Sequence, residues 1–162
     1  MEHLLVPNEV LLGKDFVTKY LSEGKQTVIT PKGCSMLPFI VGNHDSVCLQ
    51  YQDRIRPLDV VLAHLGNGNY VLHRIVKIEG EEVTLMGDGN IRGQERCKRQ
   101  DIVGTVMSII HPNGREWPFR TSSERSMAKW WMALLPVRRY LLAIYKRTIL
   151  KLLLCTSKKA LS

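Results

Sequence analysis

Residues 70–86, YVLHRIVKIEGEEVTLM, decide the fold class of this chain. Apolar and β-branched residues alternate with polar ones over 70–79 and again over 82–86, and a period of two is typical of β-strands. Gly80 lies between the two runs, where a tight turn is expected. The stretch therefore predicts a β-hairpin.

The same period extends outward from Gln26 to about Pro112. It predicts strands at 26–31, 46–51, 59–65, 70–79, 82–86 and 101–111, separated by turn signals such as Gly66-Asn67-Gly68. Since no helical pattern interrupts these strands, a mainly β fold with a mostly antiparallel sheet, coiled or barrel-like, is favoured over a parallel one.

Helical patterns flank the strands on both sides. Asn8 as N-cap and apolar residues at every fourth position predict a helix at about 9–23. After Arg120 the helical period returns, with a first helix over 124–135 capped by Ser122 or Ser123.

Pro136 should break that C-terminal helix, and a second helix is expected over 137–155. We therefore predict two regions. The first, 1–120, is a β core with an N-terminal helix, and the second, 121–162, is a basic helical extension.

The net charge of +8 lies entirely in this extension. Residues 1–120 hold fourteen basic and fourteen acidic side chains, whereas 121–162 hold nine basic ones and a single acid, Glu124. Basic residues combined with Trp130, Trp131 and many leucines favour an anionic membrane surface as partner of residues 124–155. Packing on the body or on a protein partner is the alternative, and the apolar density disfavours nucleic acid.

The cysteines argue against metal and disulfide chemistry. Cys34, Cys48, Cys97 and Cys155 form no C-x-x-C pair, so the spacing supports no zinc or redox site, and no cofactor is predicted. Scattered thiols suit a reducing compartment. With no secretory signal pattern and no long apolar run, a cytoplasmic location with peripheral membrane contact is expected.

Three short motifs carry possible chemistry. Ser35 lies in a turn sequence, GCSMLP at 33–38, directly after a predicted strand. His73 lies on the strand 70–79, and imidazole is the usual general base near neutral pH. Asp88 lies in GDGN at 87–90. Each motif alone fits a turn or a structural histidine equally well, but together they make up a Ser-His-Asp set.

These motifs resemble the superfamily of type I signal peptidases and LexA-like self-cleaving repressors. The resemblance covers about half of the chain, from 27 to 110. It rests on the ordered boxes GCSMLPFIVGNHDSVCL, RPLDVVLAHL, YVLHRIVKIEGEEVTLMGDGN and DIVGTV. Bacterial members carry a lysine base where this chain has His73, which is similar to the Ser-His signal peptidases of the endoplasmic reticulum and archaea.

The resemblance implies roles for individual residues. Ser35 would be the nucleophile, His73 the general base, and Asp88 the third member, with Glu95 as the alternative. The backbone N–H groups of Ser35 and Cys34 would form the oxyanion site.

The implied function is a serine endopeptidase that cleaves an extended peptide or precursor protein. The membrane span that usually precedes the serine in signal peptidases has no counterpart in residues 1–34. A catalytically inactive module of the same fold, which binds a peptide or membrane partner, is therefore the alternative.

Overall fold

The computed structural model describes residues 4–5, 14–66 and 69–148. The strands in these ranges are β1 Leu4–Leu5, β2 Gln26–Ile29, β3 Ser46–Gln50, β4 Val60–His64, β5 Tyr70–Glu79, β6 Glu82–Met86, β7 Glu95–Lys98, β8 Ile102–Ile110 and β9 Glu116–Pro118. The helices are α1 Lys14–Ser22, α2 Ser122–Ala133 and α3 Arg138–Arg147, with a 3₁₀ turn at Arg99–Asp101.

The described strands form one open sheet in the order β1-β2-β3-β8-β4-β5-β6-β7, with β9 paired to β8. All neighbours are antiparallel except β1, which runs parallel to β2. The predicted mainly β, antiparallel fold is confirmed. The barrel-like form is not present, because the strand path ends at β1 and β7 and does not close.

All six predicted strands are present, of which 70–79 and 82–86 have the predicted ends and the other four are shorter, and three short strands were missed. The segment β7, ERCK, buries only Cys97, and β9, EWP, is exposed along its length. Neither shows the apolar alternation that identifies a strand in sequence. Such short strands form because the adjacent strand offers free backbone hydrogen-bonding groups. The sequence of the short segment does not reveal that adjacent strand.

The core lies on both faces of the sheet. Consecutive residues of β4 alternate between two apolar clusters, with Val60 and Leu62 in one and Val61 and Ala63 in the other. Side chains of a strand point alternately to opposite faces, so the two clusters are on opposite sides.

The helix α1 covers the first cluster. Val17 and Leu21 are buried in it, and a Cβ on Gly104 of β8 would lie 3.0 Å from Leu21 Cδ1. The predicted N-terminal helix is confirmed over Lys14–Ser22, whereas Asn8 and 9–13 lie outside the described residues.

The C-terminal helices begin and break close to where the sequence predicts. Thr121, and not Ser122 or Ser123, caps α2, because its side chain accepts a hydrogen bond from Glu124 N. Pro136 lies between α2 and α3, as expected. The helix predicted over 137–155 is present at Arg138–Arg147, and 149–155 lie outside the described residues. No helix in the described ranges is long and apolar enough to cross a membrane.

One face of α2 and α3 packs on the body of the protein. Leu142, with Trp131 and Tyr145, forms an apolar cluster with Leu37 and Val41, which lie in the loop after β2. On α2, the buried Glu124 carboxylate binds Arg74 of β5, with Oε1 2.7 Å from Nη1. The described part of the extension therefore packs on the β core and on the loop after β2.

We expect the substitution Glu124→Ala to destabilise the whole fold. It leaves the fully buried Arg74 without one of its two carboxylates, and removal of one partner of a buried pair costs about 3 kcal/mol. The melting temperature should fall by roughly 6–12 °C.

The matched control is Glu79→Ala, which removes an exposed partner of Lys77. Exposed pairs contribute little, so differential scanning calorimetry should find almost no shift. Equal melting temperatures for the two variants would contradict a structural role for the α2 contact.

Candidate active site

Ser35 lies in a compact turn between β2 and β3. Backbone hydrogen bonds from Phe39 N and Ile40 N to Met36 O, at 3.1 and 3.0 Å, hold the turn together, and Met36 and Ile40 are anchored in the core. Gly33 has φ +85°, a conformation that favours glycine. The turn therefore holds the half-buried Ser35 in a fixed position.

The loop that carries Ser35 is also fixed at its far end, at Asp45. Asp45 Oδ2 accepts a hydrogen bond from Val41 N at 2.8 Å. Its Oδ1 contacts His44 Nδ1 at 3.0 Å and His111 Nδ1 at 2.9 Å. These two histidines thus have structural partners in the described chain.

The turn of Ser35 is seated on the turn that follows β6. Gly89 N donates a 2.7 Å hydrogen bond to Ser35 O. A Cβ on Gly87 would lie 2.4 Å from Ser35 O, and one on Gly89 would lie 2.4 Å from Cys34 O. Both glycines of the Gly-Asp-Gly sequence are needed because the two backbones approach too closely for any side chain.

His73 lies on β5, beside this junction. It is 5% exposed, and its neighbour Arg74 pairs with Met86, the residue before Gly87. The strand of His73 and the turn of Ser35 therefore meet at the same end of β6. Among the described residues, however, Ser35 Oγ and His73 form no hydrogen bond. Catalytic hydrogen bonds are often long without substrate and shorten when the substrate binds.

The carboxylate beside His73 belongs to Glu95. Glu95 Oε2 lies 2.9 Å from His73 Nδ1. Glu95 begins β7 and lies opposite Leu85 of β6, which in turn lies opposite Ile75 of β5. Glu95 therefore shares a sheet face with Ile75 and with His73, two residues before it. A carboxylate at Nδ1 favours the tautomer with the proton on Nδ1, which leaves Nε2 free to accept a proton.

Asp88, the first choice for the residue that orients His73, contacts Arg74 instead. Both carboxylate oxygens of Asp88 bind Arg74: Nε lies 2.9 Å from Oδ1 and Nη2 lies 2.9 Å from Oδ2. A guanidinium is charged at every accessible pH and is costly to bury without an anion, whereas imidazole can be neutral. The fully buried Asp88 carboxylate therefore pairs with the Arg74 guanidinium and not with the His73 imidazole.

Arg74 is the centre of this network. Besides Asp88, its Nη1 donates to Leu58 O and to Glu124 Oε1, both at 2.7 Å. Burial lowers the pKa of Arg74, but the ion pairs with Asp88 and then Glu124 outweigh that effect, so its pKa lies above the usual value. These contacts hold the Gly87–Gly89 turn in place, and the turn that carries Ser35 packs on it.

The α2 and α3 helices complete the site from outside. Trp131 Nε1 donates to Asp88 O at 2.9 Å, and the fully buried Arg138 donates to Trp131 O and Asn90 O. Sequence reasoning missed Arg74, Glu124 and Trp131. A signal was present, since an arginine within an apolar strand must be matched by buried carboxylates.

The predicted oxyanion donors form no other hydrogen bond within the described chain. The N–H groups of Cys34 and Ser35 donate to no described residue, whereas the carbonyls of both residues accept hydrogen bonds. Two unused N–H groups beside a serine suit the binding of a developing oxyanion.

The described residues contain no cluster of histidine, cysteine and carboxylate groups that could hold a metal ion. Comparison of the sequence with family models and with curated proteins finds no match. The resemblance to signal peptidases and LexA-like repressors therefore rests on the sequence boxes themselves.

The exposure of Cys34 offers a test of access to the site. Cys34 is exposed, whereas Cys48 and Cys97 are buried. Burial, followed by the charge of Asp101, raises the pKa of Cys97 to about 11, and burial also raises that of Cys48. Because the thiolate is the reactive form, a maleimide at neutral pH should label Cys34 much faster than the other two.

Peptide mapping by mass spectrometry, before and after unfolding in guanidinium, measures the labelling of each cysteine. Cys48 and Cys97 should react only after unfolding. Equal native labelling of Cys34 and Cys97 would mean that residue 34 has no special access to solvent.

Proposed function

We propose that the protein is a serine endopeptidase that acts through an acyl-enzyme. The main support is that three segments meet. The turn of Ser35 packs on the Gly87–Gly89 turn, and beside them lies β5, whose His73 contacts Glu95. A nucleophile, a base and a group that orients the base are the parts that such chemistry requires.

In the first step, His73 Nε2 takes the proton of Ser35 Oγ as the oxygen attacks the scissile carbonyl carbon. Glu95 stabilises the imidazolium through Nδ1. The carbonyl oxygen becomes an oxyanion and accepts hydrogen bonds from the N–H groups of Ser35 and Cys34.

In the second step, the tetrahedral intermediate collapses and the C–N bond breaks. His73 gives its proton to the leaving amine, and the acyl group stays on Ser35. Water then attacks the ester with His73 again acting as base, which releases the carboxylic acid and restores the serine.

The substrate class follows from the resemblance and from the sheet. An extended peptide, with small residues before the cut, would bind by adding a strand. The free thiols of Cys34, Cys48 and Cys97 support a reducing compartment, and so activity on the cytoplasmic side.

One observation favours the alternative of an inactive binding module, namely the missing hydrogen bond between Ser35 and His73 in the described chain. Such a module would bind an extended peptide at the same seat and release it uncut. Cleavage assays separate the two functions.

Ser35→Ala and His73→Ala should each abolish cleavage of a complex peptide library, with new termini mapped by mass spectrometry. The first change removes the nucleophile and the second removes the base, which contributes about 100- to 10,000-fold. Matched controls are Ser22→Ala and His64→Ala, two exposed positions outside the site.

Unchanged cleavage by Ser35→Ala would reject the assignment of the nucleophile. A wild-type protein that retains library peptides without cutting them would support the binding module instead.

The two carboxylates should differ in what they affect. Glu95→Gln should lower kcat/KM with little change in melting temperature, because it removes the charge that stabilises the imidazolium. A buried carboxylate in this role contributes about 10,000-fold, and for the partly exposed Glu95 we expect a smaller loss of roughly 100-fold. Asp88→Asn should lower the melting temperature, because Arg74 loses its bidentate anion.

Steady-state kinetics and calorimetry on both variants provide the check. A stable Asp88→Asn protein without activity, together with a fully active Glu95→Gln protein, would return the orienting role to Asp88.

A further inference from the structure

The outer face of α2 and α3 carries an apolar stripe with no partner in the described chain. Its members are large, exposed and spaced by three or four residues: Met127, Trp130, Leu134, Val137, Leu141 and Ile144. We call this set the outer stripe. Trp130 is 75% exposed, the highest exposure among the large hydrophobic residues described.

The register of the helices separates the outer stripe from the packed face. The residue that follows Trp130 is Trp131, which contacts Asp88 O, and the residue that follows Leu141 is the buried Leu142. Because i+3 and i+4 positions share a helix face, packing on the body uses one side of the helices and leaves the outer stripe on another.

The exposed charges of α2 and α3 that have no ion pair are all positive. Lys129, Arg139, Lys146 and Arg147 are exposed and have no carboxylate partner among the described residues. Glu124 is the one acid of residues 121–148, and it is turned inward to Arg74. The two helices therefore combine exposed apolar side chains with positive charges that no described carboxylate compensates.

We propose that the outer stripe and its four basic residues dock on an anionic lipid surface. Apolar side chains would enter the boundary between headgroups and acyl chains, and lysine and arginine would contact anionic headgroups. A second copy fits less well, since a symmetric contact would bring the same positive charges together. A nucleic acid would use the charges but not six large apolar side chains.

This inference narrows the membrane contact predicted for 124–155 to particular side chains and does not depend on peptidase activity. The packed face of the same helices contacts Leu37 and Val41 in the loop of Ser35, so docking would bring that loop close to the lipid surface.

The test uses the full chain and vesicles of phosphatidylcholine with phosphatidylglycerol, compared with phosphatidylcholine alone. Co-sedimentation should detect binding to the anionic vesicles, weakened but not abolished by salt, because salt screens only the charges. Trp130→Ser combined with Ile144→Ser should remove most of the binding. The matched control is Trp117→Ser, since Trp117 is an exposed tryptophan on β9.

A charge variant tests the second half of the proposal. Lys129→Gln with Arg139→Gln should weaken vesicle binding by roughly fivefold for each charge. Lys77→Gln with Lys98→Gln removes the same charge from exposed positions on the sheet and should change binding little.

Four outcomes would overturn the proposal. The first is no binding to anionic vesicles by a folded wild type, and the second is binding that Trp130→Ser and Ile144→Ser leave unchanged. The third is concentration-dependent dimerisation, measured by analytical ultracentrifugation, that these variants abolish. Preferential binding to DNA or RNA with a steep salt dependence would likewise assign the charges to phosphates.

Discussion

The structure depends on the burial of one guanidinium. Arg74 is fully buried on β5, and a charge in that position is tolerated only with anions and hydrogen-bond acceptors around it. Asp88, Glu124 and Leu58 O supply them from the turn after β6, from α2 and from the loop before β4. One side chain thus joins the sheet, the candidate site and the C-terminal helices.

The need of Arg74 for anions also sets the roles of the carboxylates near His73. Asp88 is bound on both oxygens, so the imidazole contacts the partly exposed Glu95, at the start of a strand too short to be recognised in sequence. Because Gly87 and Gly89 have no side chains, the backbone of Ser35 packs directly on the turn that carries Asp88. The packing of the Ser35 turn and the identity of the carboxylate beside His73 therefore both depend on how Arg74 is neutralised.

The sequence predicted the period-two strands 46–51, 59–65, 70–79 and 82–86 well, because their alternation reflects burial on a sheet. It also predicted one site from Ser35, His73 and Asp88, with Glu95 as the alternative to Asp88, and the structure places the Asp88 turn under Ser35 and Glu95 against His73. It did not tell which carboxylate meets His73, because that depends on competition with Arg74 in three dimensions. Nor did it show that the extension packs on the body, since an amphipathic helix has the same pattern whether it covers a protein or a membrane.

The separation of Arg74 and Glu124 along the chain has a consequence during synthesis. The two residues are 50 positions apart, so the sheet strands leave the ribosome well before α2 does. At roughly 5–20 residues per second, β5 exists for several seconds with its cation only partly neutralised. The contact between Arg74 and Glu124 can therefore form only after α2 has left the ribosome, and until then the β core lacks the anion that its C-terminal helix supplies.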